Sequence, residues 1–81
     1  MMTQVTVLYF ASLRDAAGMT SETIGSDASD LRGLYETLQA RHGFVLPVGR
    51  LRVAVDGAFA RWEEPLREGS EVAFIPPVSG G

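Results

Sequence analysis

The chain has no cysteine and no lysine. Without cysteine there is no disulfide framework, no thiol nucleophile and no thiolate metal ligand. Without lysine there is no side-chain amine for Schiff-base chemistry and none to accept an acyl group from another protein. All seven basic residues are arginines, and the net charge is −3 at pH 7. Nucleic acid is therefore not expected as a partner, because phosphate binding needs clustered basic side chains. No apolar run is long enough to span a bilayer, and no basic segment leads into an apolar one. No membrane association and a cytoplasmic location are expected. No phosphate loop, metal-ligand cluster or nucleophile–base pair stands out, so the chain is expected to bind no cofactor or metal. The single histidine, His42, reads as a solvated residue at a helix C-terminus.

What is present is one small domain, residues 1–81, in which 46% of residues are hydrophobic. Gln4–Phe10 is rich in β-branched and aromatic residues and predicts a strand, with Val5, Val7 and Tyr9 on one face and Thr6, Leu8 and Phe10 on the other. Ser12–Ala17 predicts a short helix capped by Ser12 and ended by Gly18. Met19–Ile24 alternates and is polar on one side, which suits an edge strand. Asp27 is the expected cap of the main helix, Ala28 to His42, whose apolar stripe is Ala28, Leu31, Leu34, Tyr35 and Leu38. Gly43 stops it. Phe44–Arg50 reads as a loop and Leu51–Asp56 as a strand with Leu51, Val53 and Val55 inward. Asp56-Gly57 is a hairpin signal leading to a short strand, Ala58–Arg61. Pro65–Ser70 is a polar turn, with Gly69 at positive φ. The last strand, Glu71–Ile75, points Val72 and Phe74 inward and Glu71, Ala73 and Ile75 outward.

The final segment carries the functional signal. Pro76-Pro77 ends the strand, since proline gives no N–H to a ladder and fixes its own φ. Val78-Ser79-Gly80-Gly81 then forms a slim tail ending in a carboxylate. Six residues from Pro76 to Gly81 reach roughly 18–20 Å when extended at about 3.1–3.3 Å per residue. Chain ends are usually frayed and silent, but a frayed end has no need of a rigid proline base. A stiff root, a tip without Cβ and a terminal carboxylate suit delivery into another protein's narrow pocket.

The element order is β–(short α)–β–α–β–β–β. One long amphipathic helix with four or five strands indicates an α+β fold, a mixed sheet packed on one main helix in the β-grasp, ubiquitin-like manner, with the first and last strands central and parallel. The opening Val7-Leu-Tyr-Phe-Ala-Ser-Leu-Arg-Asp15 with Gly18, and the closing Pro65-Leu66, Gly69 and Glu71-Val-Ala-Phe-Ile-Pro-Pro-Val-Ser-Gly-Gly81, resemble the small, sulfur-carrier subunits of molybdopterin synthase over essentially the whole chain. Ile75 stands where an aromatic residue is common in that family, which bears on the size of a partner pocket.

The resemblance implies a sulfur-donating subunit of a sulfurtransferase complex, with Gly81 as the reacting residue and Gly80 keeping the tail slim. An E1-like enzyme would adenylylate Gly81 with ATP, and a persulfide donor would convert it to a thiocarboxylate. The large subunit, in a heterotetramer, would then receive the tail and pass the sulfur to cyclic pyranopterin monophosphate. Related β-grasp carriers serve thiamine synthesis or tRNA thiolation, and ubiquitin-like modifiers share the Gly-Gly end, so these are the alternatives. Partner binding is expected on the sheet face turned from the helix, through Leu8, Phe10, Phe59 and Ile75, and along the tail through Pro76, Pro77, Val78 and Ser79. Arg14 and Arg61 are candidate rim charges, and the Phe44–Arg50 loop is a candidate cover for part of the face.

Overall fold

A computed structural model describes residues 2–77. Its elements are β1 (Thr3–Tyr9), α1 (Ala11–Ala17), β2 (Ser21–Ser26), α2 (Leu31–His42), a 3-10 turn (Val48–Arg50), β3 (Arg52–Val55), β4 (Ala58–Ala60) and β5 (Glu71–Ile75). The five strands form one sheet in the order β2-β1-β5-β3-β4. β1 and β5 are parallel, with Val7 beside Val72 and Tyr9 beside Phe74. The other three pairings are antiparallel. This is the β-grasp arrangement, with the first and last strands at the centre.

Alternation decides which face meets the helix. Val5, Val7 and Tyr9 of β1, Val53 of β3, and Val72 and Phe74 of β5 are buried against Leu31, Leu34, Tyr35 and Leu38 of α2. Full burial of each large side chain contributes about 1.5–3 kcal/mol. Tyr35 meets Phe74 edge-on at 5.2 Å, and the Trp62 ring stacks on Phe74 at 5.9 Å and meets Tyr35 edge-on at 6.0 Å. The Tyr35 hydroxyl donates to the Leu46 carbonyl at 2.6 Å. With Phe44 buried in the core, this bond ties the first part of the Phe44–Arg50 segment to α2.

Three local expectations shift. α2 starts at Leu31 with Asp30 as its cap, not at Ala28 with Asp27. The first four N–H groups of a helix need outside partners or a cap. Here Leu31 and Arg32 donate to the carbonyls of Glu64 and Trp62, Gly33 to Asp30 Oδ1 at 2.8 Å, and Leu34 to the Asp30 carbonyl. The Ala28 N–H is taken instead by Ser26 Oγ. α1 has Phe10, not Ser12, before its first residue and no side-chain cap, because the chain reverses at Ala11, where φ is +51°. β2 runs two residues later than expected, as Met19 and Thr20 are used in the turn after Gly18. It does form a sheet edge.

The Asp56-Gly57 hairpin has φ values of +50° and +87°, as a two-residue turn with both central residues left-handed requires. Asp56 also exchanges hydrogen bonds with Glu71, its Oδ1 accepting from the Glu71 N–H and its own N–H donating to the Glu71 carbonyl. The hairpin tip is thereby tied to the start of β5. Among the described residues, no helix is long and apolar enough to cross a membrane.

Candidate functional site

The sheet face opposite α2 carries the side chains that alternation turns away from the core. One row crosses four strands: Leu8 on β1 is beside Ala73 on β5, Ala73 beside Ala54 on β3, and Ala54 beside Phe59 on β4. Two small residues between two large ones leave a trough. Its volume is about 280 Å³, and Leu8, Phe10, Phe59 and Ile75 all line it, with Gly57 and Glu71 at its margin. Phe59 is 67% exposed and Phe10 44%. Leu8 and Ile75 are half-buried. The four apolar residues singled out in the sequence are thus neighbours, and no residue of the Phe44–Arg50 segment is among those lining the trough.

Ile75, the last residue of central strand β5, leads directly into Pro76 and Pro77. Pro76 is buried and Pro77 exposed. Both wall a second groove next to the trough. The expected reacting residue Gly81, with Gly80, Ser79 and Val78, lies outside the described residues.

Sequence reasoning passed over Arg52, Ala54 and Ala73 as site residues. Ala54 and Ala73 form the floor of the trough, and the Arg52 guanidinium lies 5.2 Å from the Phe59 ring centroid. The signal was available: if Leu51 and Val53 point inward, Arg52 and Ala54 stand on the other side. Arg14 and Arg61 are exposed but line neither groove.

His42 is not the solvated residue expected. Its side chain is only 12% exposed, and its Nε2 lies 2.7 Å from Glu22 Oε2. The Tyr9 hydroxyl donates to the same oxygen at 2.6 Å. Arg41 approaches the other carboxylate oxygen at 3.4 Å. Burial pushes the Glu22 carboxyl upward, but the hydrogen bonds from Tyr9 and His42, with the charges of His42 and Arg41, outweigh it and hold the carboxyl below its ordinary range. Burial, followed by the Glu22 carboxylate, raises the Tyr9 phenol far above its usual value. The polar atoms of this cluster are spent on one another, Tyr9 and His42 on one Glu22 oxygen and Arg41 on the other. It is a clasp joining the end of α2 to β1 and β2.

Among the described residues the candidate site therefore consists of an apolar trough and a proline root. A family model for the ThiS family matches residues 7–81, nearly the whole chain.

The chain belongs to the ThiS family.

Within that family it is 34% identical over 80 residues to the molybdopterin synthase sulfur carrier subunit of Escherichia coli (strain K12), covering 95% of this chain and 99% of that one. Among solved structures it is similar to a putative molybdopterin converting factor, subunit 1, from Pyrococcus furiosus, with a TM-score of 0.78, 30% identity, and coverage of 94% and 99%. It is also similar to a chain in the protein–protein complex of subunits 1 and 2 of molybdopterin-converting factor from Helicobacter pylori 26695, with a TM-score of 0.67, 26% identity, and coverage of 98% and 100%. The ThiS-family match takes in the final Gly-Gly together with β5 and Pro76-Pro77.

Proposed function

We propose that this ThiS-family chain is the sulfur carrier subunit of a molybdopterin synthase and that its reactive group is the Gly81 carboxylate. The observation that carries the reading is the continuity of the trough with the tail root. Leu8, Phe10, Phe59 and Ile75 form one apolar surface, and the chain leaves that surface through Pro76-Pro77 toward Gly80-Gly81. A partner covering the trough would meet the proline root of the tail beside it. The relatives' role as sulfur carriers supports the same reading.

The chemistry follows from what a carboxylate lacks. A terminal carboxylate, with a reference pKa of about 3.3–3.7, is an anion at neutral pH and a poor electrophile. In the proposed sequence, an E1-like enzyme transfers AMP from ATP to a Gly81 oxygen and releases pyrophosphate. The terminal sulfur of a protein persulfide attacks the acyl carbon and expels AMP. A thiol then reduces the resulting acyl disulfide and leaves a thiocarboxylate. The large subunit takes the tail and uses that sulfur on cyclic pyranopterin monophosphate, returning the carboxylate after hydrolysis. The carrier supplies position and a nucleophilic sulfur, while its partners supply the catalytic groups. Two carriers on a pair of large subunits would make the heterotetramer.

The deciding experiment is reconstitution. Incubation with the activating enzyme, ATP and a persulfide donor should add about 16 Da to the C-terminal peptide, as exchange of one oxygen for sulfur requires. The loaded chain with the large subunit should then convert cyclic pyranopterin monophosphate to molybdopterin. A chain that gains no mass, or that gains it and supports no conversion, would sink the reading. Isopeptide-linked adducts on other proteins would favour a protein modifier instead.

A further inference from the structure

The second groove adjoins the trough on the side where the tail leaves. It has a volume of about 360 Å³, with Leu51, Phe59, Ile75 and Pro77 giving it apolar walls and Arg50 and Arg52 giving it charge. Both arginines are exposed. Among the described residues the ion pairs are those of Glu22 with Arg41 and His42, so neither groove arginine is paired. On a chain with ten acidic residues and seven basic ones, two guanidiniums without an ion pair among the described residues sit where the groove is otherwise apolar.

Their geometry is selective. Arg52 is opposite Ile75 in the β3–β5 register, beside the tail root. Its guanidinium lies over the Phe59 ring at 5.2 Å. A guanidinium held over a ring in this way retains N–H donors, and these match a carboxylate in a two-point fork. The far end of the same face has the opposite sign, with Glu71 across from Thr6 and Asp56 bonded to the Glu71 backbone. The apolar face therefore carries opposite charges at its two ends, positive at the tail root and negative away from it.

We propose that this groove receives an acidic segment of the protein that takes the tail, with a carboxylate of that partner seated on Arg52 and Arg50 and its apolar neighbours covering Phe59 and Ile75. The inference rests on the carrier reading and adds the chemistry of the partner surface. Charge complementarity sets orientation, because a partner turned end for end would bring its carboxylate against Glu71. It also accelerates encounter, since rim charges act chiefly on association rate and salt dependence.

The test is binding of the recombinant large subunit from the same organism, by calorimetry and stopped-flow, at low and high salt. Arg52→Glu should weaken binding about tenfold or more at low salt, with a smaller difference at high salt as the charges are screened. Arg52→Lys should keep most of the affinity and Arg52→Leu should not. Thermal unfolding of each variant should match the wild type, since the side chain is exposed. Wild-type affinity in Arg52→Leu, or an unaltered salt dependence in Arg52→Glu, would overturn the proposal. Loss of binding in Phe59→Asp with no effect of either Arg52 variant would defeat the acidic groove alone and leave the carrier reading standing. Absence of any complex with the wild-type chain would defeat both.

Discussion

The hydroxyl of Tyr9, the last residue of β1, donates a 2.6 Å hydrogen bond to Glu22 on edge strand β2. Its neighbour Phe10 turns the other way and lines the trough. The clasp formed by Glu22 with Tyr9, His42 and Arg41 thus sits directly behind one end of the trough, and its ionisation is coupled to stability.

Glu22 has a folded-state pKa below its ordinary value of 4.5. A depressed carboxylate pKa contributes stability that is fully present above the unfolded value and is lost as pH falls through the folded one. Denaturant titrations of wild type and Glu22→Gln should therefore differ most near neutrality and converge below pH 4.5. At the other extreme, Tyr9 and Tyr35 have raised values, so their contribution is present below pH 10.0 and is lost as pH rises beyond it. A constant gap between wild type and Glu22→Gln from pH 7 to pH 3 would mean that the carboxylate is not favoured by the fold.

The helix cap is separable from its sequence neighbour. Asp30→Ala should cost about 1 kcal/mol, the usual loss when an N-cap oxygen is removed. Asp27→Ala should change stability by less than about 0.5 kcal/mol, as for an exposed side chain without such a role. Equal losses in urea titrations would place the cap elsewhere.

Leu34 is fully buried between α2 and the sheet. Leu34→Ala should destabilise the domain by roughly 2–5 kcal/mol, the range for a buried leucine that leaves a cavity. An unchanged denaturation midpoint would contradict the packing described.

Phe59 is 67% exposed, so Phe59→Asp should leave the circular dichroism spectrum and melting temperature close to wild type. Its affinity for the large subunit should fall by about 2 kcal/mol or more, because a large apolar contact is lost and a carboxylate is placed in a surface that the partner must desolvate. Calorimetry giving wild-type affinity would remove Phe59 from the interface.

Deleting Gly81 should leave folding stability unchanged, since the core residues all precede Pro76. The reacting carbon would retreat by about 3.3–3.6 Å. A misplacement of only 1 Å can cost about 10²-fold in a positioned reaction. Sulfur transfer in the reconstituted system should be nearly abolished, and a normal rate in the shortened chain would contradict the role of Gly81.

The strands, the main helix and the four apolar trough residues were legible because each rests on local periodicity. Val5-Thr6-Val7-Leu8-Tyr9 alternates by two, and Leu31, Leu34, Tyr35 and Leu38 recur at helical spacing. Gly18, Gly43, Gly57 and Gly69 mark reversals that adopt positive φ in the structure. Element boundaries were less legible. Asp27 and Asp30 are equivalent candidates by composition. The choice between them was made by the carbonyls of Trp62 and Glu64, some thirty residues away, which supply partners for the first N–H groups of α2 only when it begins at Leu31.

By itself the sequence determined the element types, the inward and outward alternation, the proline root and the chemistry available to a chain without cysteine or lysine. These depend on residues at short separation and on what side chains can do. Only the tertiary structure decided that Ala54 and Ala73 lie between Leu8 and Phe59 as a trough floor, that Arg52 covers Phe59, and that His42 and Tyr9 meet at Glu22. Those neighbours are set by strand order and register. A shift of one residue in register would send every such side chain to the opposite face.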